Sequence, residues 1–266
     1  MSILDKVCLD DLTPPVVLDR LTVDSGVVAV AREDVLPGGT KQRAIGPYLV
    51  DAMDGGVSTF VYASPAPGFA QVALAHTSRL LGAECVLFCE LLDGDFHEFS
   101  LLAQSYGARI HACASLYDAE EEAAAFSGDD DRVLKLPLGF GCTEYASHLR
   151  QALAREWANV VAELGTTPRR LWLPVGSATL ANAFRQVLPE TVELHCVDVR
   201  ILEESDERIK QLGELPGIVL YRSDQEFLEA ATTPPPFPSN AFYDAKLWPL
   251  IREHAADGDL WWNVAR

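Results

Sequence analysis

The chain has 266 residues, 48% of them hydrophobic, enough for one substantial core or two closely packed subdomains and too ordinary a mixture for a fibrous or disordered protein. With 39 acidic against 21 basic residues the formal net charge is -18, so duplex nucleic acid or an anionic membrane would repel it at long range, and a small-molecule substrate is the better expectation. Six cysteines, at positions 8, 85, 89, 113, 142 and 196, form no CxxC pair and no Cys/His ligand spacing, and the amino terminus lacks the basic-then-apolar pattern of a secretory leader. These features predict a reducing, cytoplasmic setting and no zinc site, and no apolar run reaches the length of a membrane span.

Short apolar runs alternate with helical patterns along the chain. Residues 27–31 read as the first strand, followed by Pro37-Gly38-Gly39-Thr40-Lys41, a glycine turn that opens a helical pattern with Lys41 in its first turn. A strand over 59–63 ends in Ala63-Ser64-Pro65-Ala66-Pro67-Gly68-Phe69-Ala70-Gln71, and helical spacing covers 68–81. Strands follow at 84–89, where Cys85 and Cys89 act as small buried hydrophobes, and at 109–112. The acidic runs 118–122 and 129–131 read as solvated faces. After a strand at 133–136 and the punctuation of 137–141, helical spacing resumes over 145–164. A strand at 171–175 then enters Gly176-Ser177-Ala178-Thr179, strands follow at 194–199 and 218–221, residues 232–238 form a proline-rich loop, and a last strand covers 260–264. Strands alternating with helices imply an α/β protein with mainly parallel sheets covered on both faces.

In open α/β sheets a ligand lies beyond the carboxyl ends of the strands, which makes the turns at 37–41, 63–71 and 176–179 the places to inspect. A helix start with small residues holds a carboxylate or phosphate through backbone N–H groups, and Ser177 and Thr179 add hydroxyls. On the residues alone, a solubilising lysine and plain strand-to-helix turns are the simpler readings. Three such turns in one chain, in this order, are a stronger signal.

That order resembles the fold type II, or tryptophan-synthase-β-like, family of pyridoxal-phosphate (PLP) enzymes. The branch it resembles most is that of 1-aminocyclopropane-1-carboxylate deaminase and D-cysteine desulfhydrase. The segments that carry the resemblance are Arg32-Glu33-Asp34 with Gly38-Gly39-Thr40-Lys41-Gln42-Arg43, the turn from Ala63 to Gln71, and Leu136-Pro137-Leu138-Gly139-Phe140-Gly141. Pro174 to Leu180, Tyr243-Asp244-Ala245-Lys246 and Leu260-Trp261-Trp262-Asn263-Val264 complete the set, so the likeness covers nearly the whole chain. It implies two three-layer α/β subdomains, a smaller one inserted at about 46–136 and a larger, cofactor-holding one made of 1–45 plus 137–266.

By the same resemblance Lys41 forms a Schiff base with pyridoxal 5'-phosphate, and Tyr243 assists as an acid or base. The resemblance further implies that Gly68, Gly176, Ser177, Ala178 and Thr179 line the cofactor, that Ser64, Gly68 and Gln71 take the substrate carboxylate, and that a homodimer is to be expected. The chain departs from the family at three places. Gly68 stands where an asparagine meets the cofactor's 3' oxygen, Ala178 stands for a glycine, and Val264 stands for the hydroxyl residue that faces the pyridine nitrogen.

Three functions fit this pattern. The first is a PLP enzyme of lyase or deaminase type that acts on a free amino acid. The second is a PLP-dependent decarboxylase of an aminoacyl-modified thymine in phage DNA hypermodification, whose amino-acid-modified nucleotide would explain the altered 64–71 loop. The third is a non-catalytic protein that keeps the scaffold for binding.

Overall fold

A computed structural model describes residues 13–266, so Cys8 lies outside the described part. The chain begins with strands β1 (Leu18–Val23) and β2 (Gly26–Arg32) and runs on through α1 (Gln42–Asp54), β3 (Thr59–Ser64), α2 (Ala70–Leu81) and β4 (Glu84–Glu90). Next come α3 (Glu98–Ser105), β5 (Arg109–Cys113), α4 (Leu116–Ser127), β6 (Val133–Leu136) and α5 (Thr143–Leu164). The remainder is β7 (Arg170–Val175), α6 (Thr179–Val187), β8 (Glu193–Asp198), α7 (Glu207–Glu214), β9 (Ile218–Arg222), α8 (Trp248–His254) and β10 (Leu260–Asn263). The chain divides into two units, one containing Pro37–His148 and the other built from Pro15–Leu36 with Leu149–Arg266. Among the described residues, no helix is long and apolar enough to cross a membrane.

The unit containing Pro37–His148 has a four-stranded sheet in the order β5-β4-β3-β6 with every neighbouring pair parallel. All six residues of β3 are buried, as expected for a strand covered on both faces, and this is why its run Thr-Phe-Val-Tyr-Ala-Ser does not alternate. Val61, Ala63, Val86 and Phe88 pack with Cys113 and with Ala119 and Ala123 of α4, where small helix residues let the helix approach the sheet closely. The helix starts are satisfied locally: Ser115 Oγ accepts from Asp118 N at 3.1 Å, and His97 Nδ1 accepts from Phe99 N at 3.2 Å. Helix α2 ends at Gly82 in left-handed backbone (φ 73°), whose N–H closes on the carbonyls of Ser78 and Arg79.

The other unit has six strands in the order β1-β2-β10-β7-β8-β9, antiparallel only in the β1–β2 hairpin. The last strand of the chain therefore lies in the middle of its sheet. Trp261 of β10 and Trp172 of β7 are fully buried in a core with Val28, Val30, Leu247 and Ile251. Entry into β10 is held by Asp259, which accepts from Trp172 Nε1 at 3.1 Å and from Arg170 Nε at 3.0 Å. The proline-rich stretch around Pro234 to Pro238 is a loop of this unit, and Phe237 packs against the tryptophan core.

Candidate active site

Lys41 closes a single 3-10 turn, Gly39–Lys41, that runs directly into α1. The turn depends on its glycines. Gly39 has φ 61°, in the left-handed region, and a Cβ on Gly38 would lie 2.8 Å from Ala73 Cα and 2.9 Å from Ala73 Cβ. Gly38 thus presses its backbone onto α2, and its N–H donates to Gln42 Oε1 at 2.9 Å. The neighbouring Arg43, also buried, donates to the carbonyl of Pro14 at 2.7 Å. Gly38→Ala is expected to cost about 2 kcal/mol, because the conflict is with helix backbone rather than a flexible side chain. A thermal melt checks this, and an unchanged Tm would mean that the turn has room.

The Lys41 side chain is half-buried, and its ammonium sits 6.0 Å from the centre of the Phe140 ring. Around it Phe140 packs on Tyr62 (5.3 Å) and on Tyr145 (5.2 Å). Among the described residues no carboxylate pairs with this ammonium, and burial pushes its pKa down to about 8. Tyr62 and Tyr145 are driven the other way, above the usual phenol range, again by burial. Tyr62 OH accepts from Gly139 N at 3.2 Å, which fixes the turn carrying Phe140.

The 64–71 turn lies in the same unit, between β3 and α2. Ser64, Gly68 and Gln71 come together there, since a Cβ on Gly68 would sit 2.9 Å from Ser64 Oγ and equally close to Pro65. Only glycine fits that position. Both side-chain polar groups, however, are already engaged. Ser64 Oγ donates to the Pro65 carbonyl at 3.1 Å, and Gln71 Nε2 donates to the Ala66 carbonyl at 3.3 Å while its Oε1 accepts from the Cys89 thiol at 3.5 Å. These side chains brace the turn. Gly68 N already donates to the Pro65 carbonyl at 2.9 Å and Val72 N to that of Phe69 at 3.1 Å, so the groups best placed to meet an anion are the backbone N–H donors of Ala70 and Gln71 at the start of α2.

In the second unit β7 leads into Gly176, Ser177 and Ala178 before α6 begins. Ala178 stands in left-handed backbone (φ 63°, ψ -6°), a conformation that alanine adopts at a cost and that glycine adopts freely. Ser177 Oγ and Thr179 Oγ1 are 3.1 Å apart. A Cβ on Gly176 would lie 3.1 Å from Tyr243 Cε1 and 3.4 Å from Ile201 Cγ2, so the structure brings Tyr243 onto the same turn as Gly176 to Thr179.

Beside Tyr243 stands a group that the motif contained but that no periodicity pointed to. Asp244 is fully buried and accepts from Val264 N at 2.6 Å and from Ala265 N at 3.2 Å. Burial raises its pKa well above the usual carboxylate range, against the opposing effect of those backbone bonds. Val264 is therefore held by its backbone. One residue earlier, Asn263 Nδ2 donates to Asp34 Oδ1 at 2.8 Å, and Arg32 grips the same carboxylate through Nε at 2.7 Å and a second nitrogen at 2.8 Å. Arg32 and Asp34 of the Arg-Glu-Asp motif thus join the ends of β2 and β10.

No family model matches the chain, and no curated protein matches it. Solved structures do. An ACC deaminase homologue superposes with a TM-score of 0.74 at 16% identity, over 99% of this chain and 93% of that one. Diaminopropionate ammonia lyase from Escherichia coli, in complex with an aminoacrylate-PLP azomethine reaction intermediate, gives 0.70 at 13% identity over 99% and 86%. An L-serine ammonia-lyase from the fungus Rhizomucor miehei gives 0.70 at 16% identity over 96% and 94%. Identities this low speak for backbone architecture alone. The protein has the α/β fold of the fold type II PLP enzymes.

Proposed function

We propose that the protein is a PLP-dependent enzyme of lyase or deaminase type that acts on an amino-acid substrate and holds its cofactor through Lys41. The observation that carries this reading is the amine of Lys41: half-buried against Phe140, without a carboxylate partner among the described residues, and lowered to about 8. A lysine kept for solubility would sit in water with an ordinary pKa, whereas a nucleophilic lysine needs its neutral form near physiological pH.

The turn after β7 supports a phosphate site within its own unit. Gly176 leaves space that a Cβ would fill against Tyr243, and the turn after it offers the hydroxyls of Ser177 and Thr179 and the first N–H groups of α6 to a phosphate. When bound, PLP supplies an electron-withdrawing ring that stabilises negative charge at the substrate's α-carbon. The chain's own residues do the rest. The helix start at 64–71 binds the substrate carboxylate and so orients the α-carbon, Lys41 Nζ accepts the proton from that carbon, and the Tyr243 hydroxyl serves as a second proton donor or acceptor.

The pH dependence of cofactor capture tests this. Only the neutral amine attacks, so covalent capture of PLP by the apo-protein is expected to quicken as pH rises through about 8 and to level off above it. Stopped-flow absorbance reads that midpoint. A midpoint at the ordinary lysine value would contradict a tuned Lys41. Release of ammonia without carbon dioxide from an amino acid would separate the lyase reading from the decarboxylase one.

A further inference from the structure

At the carboxyl edge of the six-stranded sheet stands Arg200, a cation that the mechanism above does not use. Arg200 follows β8 in left-handed backbone (φ 67°), a conformation rare for a residue with a side chain. The strain is held by Asp198, the last residue of β8, whose carboxylate accepts from Arg200 N at 2.8 Å. One guanidinium nitrogen pairs with Glu226. The Nε atom, by contrast, is buried with no hydrogen-bond acceptor among the described residues. Buried donors are nearly always satisfied, and an unmade bond on a cationic group is among the costlier exceptions.

The surroundings say where an acceptor would come from. Ile201, the next residue, reaches within 3.4 Å of the point a Gly176 Cβ would occupy, and Tyr243 lies against that same point at 3.1 Å. Phe227, next to Glu226, meets the Tyr243 ring edge-on at 5.3 Å. Lys246 is committed elsewhere, donating to the Glu226 carbonyl at 2.7 Å. The Arg200 loop therefore borders the turn of Gly176 to Thr179, and its guanidinium fork is only partly used.

The geometry points to Arg200 as an anion-reading residue: its guanidinium takes an oxygen of a carboxylate or phosphate on the molecule seated at the Gly176 turn, completing the fork that Glu226 half fills. This rests on the PLP reading only for the identity of that molecule. The anion is either the cofactor phosphate or a second acidic group on the substrate, and the two sources are separable.

Arg200→Gly suits the test, because glycine accepts the positive φ and the variant is expected to melt no lower than wild type. Apo-protein of both forms is titrated calorimetrically with inorganic phosphate, PLP, pyridoxal, succinate and propionate. If the cofactor phosphate is the partner, the variant binds phosphate and PLP at least tenfold more weakly and pyridoxal as before. If a substrate carboxylate is the partner, PLP is retained and succinate weakens at least tenfold against propionate. Arg200→Lys, which keeps the charge without the fork, should fall between wild type and the glycine variant, and it replaces that variant if the latter melts early. Binding of all five ligands within twofold of wild type would overturn the proposal, as would a wild type that binds neither phosphate nor succinate. A wild type that binds phosphate or succinate through Arg200 but not PLP would support Arg200 and sink the PLP reading instead.

Discussion

Lys41→Ala is expected to lower turnover by about a thousandfold or more while leaving the fold and phosphate binding in place. The size follows from what is lost together: the amine that captures the cofactor and the base at the α-carbon, each of which is commonly worth about two orders of magnitude or more. The fold should tolerate the change because among the described residues no carboxylate pairs with Lys41, so its removal strands no buried charge. Lys41→Arg restores a cation but not a neutral amine, and it should be as inactive as the alanine variant. Product assays with excess PLP, together with a thermal melt and a phosphate titration, check this. Turnover within tenfold of wild type would contradict the role given to Lys41.

Gly176→Val is expected to weaken PLP binding by about a hundredfold. A Cβ there already meets Tyr243 Cε1 at 3.1 Å and Ile201 Cγ2 at 3.4 Å, and the two further methyl groups of valine have nowhere to go without displacing Tyr243 or the turn. Overpacking of this kind moves the backbone, and phosphate recognition depends on the placement of backbone N–H groups. Gly176→Ala should show a smaller loss in the same direction. Equilibrium dialysis with PLP reads the effect, and an unchanged affinity would place the phosphate elsewhere.

Much of the fold was legible because buried parallel strands write themselves as unbroken apolar runs. The strand read at 59–63 is β3 (Thr59–Ser64), and the run read at 84–89 is β4 (Glu84–Glu90). Helix α5 (Thr143–Leu164) likewise answers to the spacing seen over 145–164. Strand β1 was not legible. Its sequence Leu-Asp-Arg-Leu-Thr-Val mixes charge with apolar residues because it is an edge strand, with Asp19 and Arg20 exposed and only Leu21 and Val23 buried. The eight-residue helices α3 and α7 carry too few turns for a periodic signal to stand out.

At the site, the glycine turns were visible because glycine marks where backbone must approach closely, as at Gly38 on Ala73 and Gly68 on Ser64. The roles of Asp244 and Arg200 were hidden for a different reason. Asp244 acts on Val264 and Ala265, twenty residues away, only once β10 lies in the middle of its sheet. Arg200 stands out only through its positive φ and an unsatisfied nitrogen, neither of which composition can show. The side chains of Ser64 and Gln71 look like ligands in the sequence, yet the fold spends their hydrogen bonds on the turn itself.

The claim that everything else depends on is that Lys41 carries the cofactor. Borohydride reduction of the PLP-loaded wild-type protein, followed by peptide mass mapping, addresses it directly, because reduction locks the cofactor onto whichever lysine holds it. Lys41 should be the modified residue, with a phosphopyridoxyl group on its peptide and none on the peptides of Lys6, Lys135, Lys210 or Lys246. A label on another lysine, or no label on folded protein supplied with PLP, would contradict the account.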